Sequence, residues 1–282
     1  MFIQPDDPDF CVTDEGVVMS ASPMGPFTLR EILSETIDVY RRNALGFIVI
    51  AATVQIPLSV LSWLLFRNTD LNFDFSLTEI PPVLFWVKVA IKSLTLSILG
   101  GAAWILMQGA LIHGISEQFI RTPIQIQSAY AFSFRRFFPR LAALVFSGVA
   151  LILMWITVLG IPFAIRFGGL WVFILQTASV EGFGPRAATS RSEALVRGSW
   201  SRVAWILFVS GIVFAIAGGI VSYMIGFIPI AGATIGAIIT APFLIIAHTL
   251  LYFDLRTQKD EAFSLEVLAN ELRIEVEESP VF

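Results

Sequence analysis

The sequence predicts an all-α membrane protein: six transmembrane helices paired as three hairpins, each hairpin preceded by an amphipathic helix on the cytoplasmic side. Three observations carry that prediction. Of 282 residues, 56% are hydrophobic and only 14% charged, which excludes disordered, collagen-like and disulfide-framework chains and argues against a soluble enzyme. Residues 203–253 carry no charge at all, and since a bilayer crossing takes about 20 apolar residues, two crossings fit there. The basic residues, finally, gather in every second segment between the apolar runs, as the positive-inside rule requires of a polytopic chain.

Residues 1–26 are acidic and Pro-rich, with no basic start before an apolar stretch, so they read as a poorly ordered cytoplasmic tail and not as a secretory signal. Cys11, the one cysteine, cannot form an intrachain disulfide. The membrane domain, 27–260, begins with Thr28 and Glu31 at capping-box spacing. Leu29, Ile32, Leu33, Ile37 and Tyr40 then recur on one helical face, opposite Glu31, Ser34, Glu35, Asp38 and Arg42. That amphipathic helix leads into a first span at 44–66. The second span is 93–112, long enough once Lys88 and Lys92 snorkel to the headgroups.

Thr122 and Pro123 start a second surface helix, which carries Phe132, Phe134, Phe137 and Phe138 beside Arg135, Arg136 and Arg140 and leads into a third span at 141–165. Arg166 falls in a tight IPFAIR corner. The fourth span, 167–180, is short unless the corner belongs to it. Gly184 and Pro185 start a third surface helix ending near Gly198, and spans at 203–225 and 232–253 are parted by GFIPIAG. Residues 261–282 form a short acidic helix and tail, in which Leu265, Leu268 and Leu272 share a face. Gly211, Ala215 and Gly219, and Gly232 and Gly236, fall four apart and suit close helix packing; Pro57 and Pro242 are expected to kink spans one and six.

Alternation of the spans puts Arg30, Arg41, Arg42, Arg121, Arg135, Arg136, Arg140, Arg186, Arg191, Arg197, Arg202, Arg256, Lys259 and Arg273 on one side, 14 of the 18 basic residues. Asp70, Asp74 and Glu79 make the main loop of the other side acidic. Both termini are therefore expected in the cytoplasm, with the chain in a bacterial cytoplasmic membrane.

Chemistry is sparse in this pattern. His113 and His248 would need converging acids to act as a base or metal pair, and only Glu117 is near in sequence, so hydrogen-bonded packing or headgroup contact is the expectation, with no metal and no cofactor. No nucleophile triad or phosphate-binding glycine loop is present. Gln55, Gln108, Thr157, Gln176 and Thr240 are the polar groups within spans, and the absence of acids there argues against ion-coupled transport. Arg135, Arg136 and Arg140 carry two readings of equal weight: contact with anionic lipid headgroups, or topology alone. Nucleic acid is not an expected partner, because these arginines are tied to the bilayer surface. Asp254 closes span six at the negative end of its dipole and needs a cation. Arg191, an arginine among alanines in the third surface helix, is expected to bridge it, with Glu181 as the alternative acid for Arg191.

Four stretches carry a family resemblance: TLREILSETIDVYRRN, IPFAIRF through VEGFGP, RSEALVRGSWSRV, and LLYFDLRTQKDEAFSLEVLA. Together they resemble the membrane domain found ahead of the catalytic domain in some bacterial glycerophosphodiester phosphodiesterases, and its stand-alone relatives. The resemblance implies a six-helix integral membrane domain with no established chemistry, and it departs at Pro162, which is followed by Phe163 where the family commonly has glycine. The expected function is non-catalytic, in membrane or envelope upkeep through lipid headgroups or a protein partner on the cytoplasmic face. The alternatives are a lipid or amphiphile transporter, and a membrane anchor for a separately encoded soluble enzyme.

Overall fold

A computed structural model describes residues 26–69, 83–119, 124–225 and 229–260, together with 267, 268 and 271. The expected acidic tail and most of the expected C-terminal helix lie outside the described residues, which are helical with short turns.

Helix α1 (Leu29–Arg42) starts on a formed capping box: Glu31 N–H donates to Thr28 Oγ1 at 3.4 Å, and Thr28 N–H donates to Glu31 Oε2 at 2.6 Å. It buries Ile32, Thr36, Val39 and Tyr40. Helix α2 (Ala44–Phe66) follows the expected first span. Helix α3 (Val83–Phe119) is far longer than the expected second span, because nothing after Val83 interrupts it; its 37 residues reach about 55 Å, nearly twice a hydrocarbon core.

The expected single helix from Thr122 to Arg140 is corrected at one point, and its expected start at Thr122 and Pro123 falls outside the described residues. The helix is broken at Arg136 into α4 (Ile126–Arg135) and α5 (Phe137–Ile156). Pro139 explains the break, since it has no N–H to give the Arg135 carbonyl and is tolerated only in a first turn. Helix α4 packs chiefly against α3. It runs back along α3, with Ser128 Oγ donating to Glu117 Oε1 at 3.2 Å near one end and Ser133 Oγ donating to the Leu106 carbonyl at 2.6 Å near the other.

Span three ends at Ile156, not 165. A 3-10 turn (Val158–Gly160) makes the corner, and a Cβ on Gly160 would fall 2.0 Å from the Met154 carbonyl oxygen, so the turn requires glycine. Helix α6 (Ile161–Leu170) takes Pro162 into its first turn and continues, after a break, as α7 (Ile174–Val180). The residues expected to form the corner thus belong to the fourth span. Helix α8 (Pro185–Val196) stops at Gly198, whose φ of 92° suits glycine. Helices α9 (Trp200–Met224) and α10 (Pro229–Lys259) complete the fold.

Six of these segments are long and apolar enough to cross a membrane: α2, α3, α5, α6 with α7, α9 and α10. Their burial is lopsided. Phe47 and Ile50 of α2, most of Ile105 to Ile115 of α3, Ala143 of α5, Val203 and Ile206 of α9, and most of Ile245 to Leu255 of α10 are buried, and these stand at the end where α1, α4 and α8 pack. Toward the other end Leu94, Ile98, Ile152, Leu153, Ile216 and Ile220 are exposed. Apolar area left in water forfeits about 25 cal/mol per Å2, whereas in hydrocarbon it forfeits nothing, so a core concentrated at one end, with only Phe214 and Ile238 of its large side chains further along α9 and α10, suits a body resting on a bilayer.

Candidate functional site

The exposed halves of the helices are framed by aromatic rings. Trp63 of α2, Trp86 of α3, Trp155 of α5 and Tyr223 of α9 stand exposed toward the ends remote from the packed body. Nearer the body, α3 carries Trp104 and α9 carries Trp205. From Trp86 to Trp104, as from Trp205 to Tyr223, is 18 residues, about 27 Å at 1.5 Å per residue. That separation matches a hydrocarbon core of about 30 Å with a Trp or Tyr ring at each interface.

Inside the body, the end of α10 is held by an ionic clamp. Asp254 lies at 4% exposure, and Arg202 Nη2 donates to its Oδ2 at 2.7 Å. Phe27 N–H and Gln258 Nε2 both donate to Oδ1, at 3.2 and 2.8 Å. The expected bridge from Arg191 to Asp254 is therefore wrong, and the helix register says why. Arg202 sits in the first turn of α9, antiparallel to α10 and level with Asp254, whereas Arg191 on α8 meets Asp260, the residue just past α10 and six residues or about 9 Å further on. Arg191 Nε also donates to Glu181 Oε2 at 2.8 Å, the alternative acid, and Tyr252 Oη donates to Glu181 Oε1 at 2.6 Å.

Arg256 continues the chain of charges. Its two terminal nitrogens donate to the two carboxylate oxygens of Glu271 at 3.0 Å each, and its Nε lies 3.3 Å from Asp260 Oδ2. Partial burial pushes the Asp260 carboxyl up, but Arg191 and Arg256 outweigh it and hold the group below the usual carboxylate range. The segment before α1, the end of α7, α8, α9, α10 and Glu271 are thereby tied together. Sequence reasoning missed Arg202, Tyr252, Arg256 and Asp260 as clamp members; only the four-residue spacings of Asp254 to Gln258 and Arg256 to Asp260 were legible signals.

The three arginines expected at lipid headgroups part company. Arg140 is fully buried, so that reading is corrected for it: Nη1 donates to the Ile105 carbonyl and Ser133 Oγ at 3.2 and 3.0 Å, and Nη2 to the Ser133 carbonyl at 3.3 Å. The guanidinium fills the space beside Gly109, where a Cβ would come 1.4 Å from Nη1. Arg136 Nη1 donates to the Ser179 and Ala178 carbonyls at 2.8 and 3.4 Å, capping the negative end of α7. Arg135 alone is exposed, beside Phe134 and Phe138, which are 72% and 74% exposed.

His113 is buried, its Nδ1 3.5 Å from Glu117 Oε1 and its ring 4.4 Å from that of Phe132. Among the described residues no three His, Cys, Asp or Glu side chains gather as a metal group. The small-residue packing expected on α9 is also corrected: Gly211 and Gly219 face open space and Ala215 is exposed, because α9 turns Gly218 toward Thr240 of α10 instead. On α10, Gly232 is buried and Gly236 fits against Ser222 and the Gly218 carbonyl.

The chain matches no family model, no curated protein and no solved structure.

Proposed function

We propose that this chain is a non-catalytic integral protein of a bacterial cytoplasmic membrane, with both termini in the cytoplasm, acting in membrane or envelope upkeep from its packed cytoplasmic body. The carrying observation is the lopsided fold: a buried core and ionic clamp at the basic end, with exposed apolar helices between two aromatic girdles beyond it. The family resembled by the four sequence stretches has the same six-helix plan. Contact with lipid headgroups falls to the α4–α5 elbow, where Phe134 and Phe138 project beside Arg135. A protein partner on the body is the companion reading, favoured by the exposed Ile37 and Phe183.

Spin labels at Phe134→Cys and Phe138→Cys, in a Cys11→Ser background reconstituted in anionic vesicles, test the elbow. Both labels should report headgroup depth, with intermediate access to oxygen and to a water-soluble relaxant. Labels as water-exposed as one at Ser190→Cys, on the outer side of α8, would overturn the lipid contact.

A further inference from the structure

Between α5 and α6 lies an open groove of about 440 Å3, lined by Ala150, Leu153, Met154, Thr157, Phe163 and Phe167, with the Gly160 turn at one end. Its walls are mainly apolar, Thr157 being the polar exception, and it lies on the exposed halves of the helices, toward the girdle that includes Trp155. Arg166 does not itself line the groove; it belongs to the same helix as Phe163 and Phe167 and directly precedes Phe167. It is exposed, and among the described residues no hydrogen bond or ion pair engages it. No acid is available nearby in sequence either, since Arg166 is the one charged residue between Arg140 and Glu181.

We infer that Arg166 and this groove form a binding site for one anionic phospholipid of the outer leaflet, with the guanidinium on the lipid phosphate and one acyl chain in the groove. The inference rests on the membrane reading above and concerns the face opposite the cytoplasmic body. An arginine within a span is costly unless it reaches water or an anion, and such positions default to function. Arg166 lies five residues inside the start of α6, about 7.5 Å below the turn, which its long side chain covers by snorkelling outward. There the planar guanidinium meets phosphate oxygens in a two-point geometry that a lysine cannot reproduce. An apolar trough at the depth of the acyl chains fills with hydrocarbon and not with water, so the charge and the groove select the two ends of one molecule.

The test is native mass spectrometry of the full chain released from mild detergent, titrated with phosphatidylglycerol or with phosphatidylcholine. Wild type should retain phosphatidylglycerol preferentially. Arg166→Gln should lower that retention about five-fold, as loss of one basic contact with an anionic lipid requires. Ala150→Phe, which fills the groove and keeps the charge, should lower it comparably, and Arg166→Lys should fall between Arg166→Gln and wild type. Competing inorganic phosphate should not displace the lipid. Unchanged retention in Arg166→Gln overturns the site, and loss in Arg166→Gln without loss in Ala150→Phe overturns the groove assignment. Carbonate extraction of the same membranes separates the two claims: a chain that washes off contradicts the membrane reading, whereas a chain that stays but ignores Arg166 contradicts the lipid site alone.

Discussion

Arg202 and Asp254 form the central bond of the clamp: 2.7 Å from Nη2 to Oδ2, with the carboxylate side chain at 6% exposure. The pair joins the first turn of α9 to the last turns of α10, and Arg202 Nη1 reaches the Phe27 carbonyl at 3.4 Å, so the segment before α1 is held by the same two residues.

Removing Arg202 leaves the buried Asp254 carboxylate with only two neutral donors, Phe27 N–H and Gln258, and removing Asp254 leaves a partly buried guanidinium without its acid. Asp254→Asn and Arg202→Gln should each lower stability in detergent by about 3 kcal/mol, and a double-mutant cycle should show the two strongly coupled. The cycle of Asp254→Asn with Arg191→Gln should be close to additive. Thermal unfolding followed by helicity measures both, and strong coupling to Arg191 with none to Arg202 would contradict the clamp as drawn.

Gly109 and Arg140 should behave as a unit. Gly109→Ala places a methyl where the Arg140 guanidinium sits, so the buried cation must leave its acceptors, the Ile105 and Ser133 carbonyls and Ser133 Oγ. A loss of about 3 kcal/mol or failure to assemble is expected, whereas in an Arg140→Met background the same alanine should cost little. Equal costs in both backgrounds would show that Gly109 does not serve the arginine.

Asp260 gives the clamp an acid limb. Its carboxyl is held below the usual range by Arg191 and Arg256, so the folded state binds its proton more weakly than the unfolded state. The stability it contributes is fully present above the unfolded value of about 4 and is lost as pH falls through the folded one. Between pH 6 and pH 3 the stability difference between wild type and Asp260→Asn should shrink. A difference that is constant or grows on acidification would count against the pairing.

Leu94 lies midway between Trp86 and Trp104 and is 62% exposed. On a water-facing helix, Leu94→Arg would be harmless. Between two girdles it should cost about 3 kcal/mol of insertion free energy and reduce the membrane-integrated fraction. Integration equal to wild type would contradict the placement of the bilayer along α3.

The sequence shows the spans plainly, because charges mark their ends; α2 follows the expected run to the residue. What stayed hidden depended on three-dimensional neighbours. The fate of Arg140 was set by Gly109 and by backbone carbonyls of α3, groups that carry no signature in a sequence. The choice of Arg202 over Arg191 turned on how far along α10 each helix docks, and a helical wheel fixes direction around an axis, not position along it. The break at Arg136 was legible in principle, since Pro139 denies Arg135 its bond, but the run of phenylalanines suggested one continuous apolar face. The α9 stripe misled because Gly218, one residue out of the four-residue repeat, makes the contact with α10.

The packed body and the turn after α2 should lie on opposite sides of the membrane, the body in the cytoplasm. Single cysteines at Asn68, exposed just after α2, and at Ser190, exposed on α8, in a Cys11→Ser background, report this directly. In intact spheroplasts a membrane-impermeant maleimide should label Asn68→Cys, and Ser190→Cys should be labelled only after permeabilisation. Labelling of Ser190→Cys from outside, or of both positions without permeabilisation, would contradict the membrane placement.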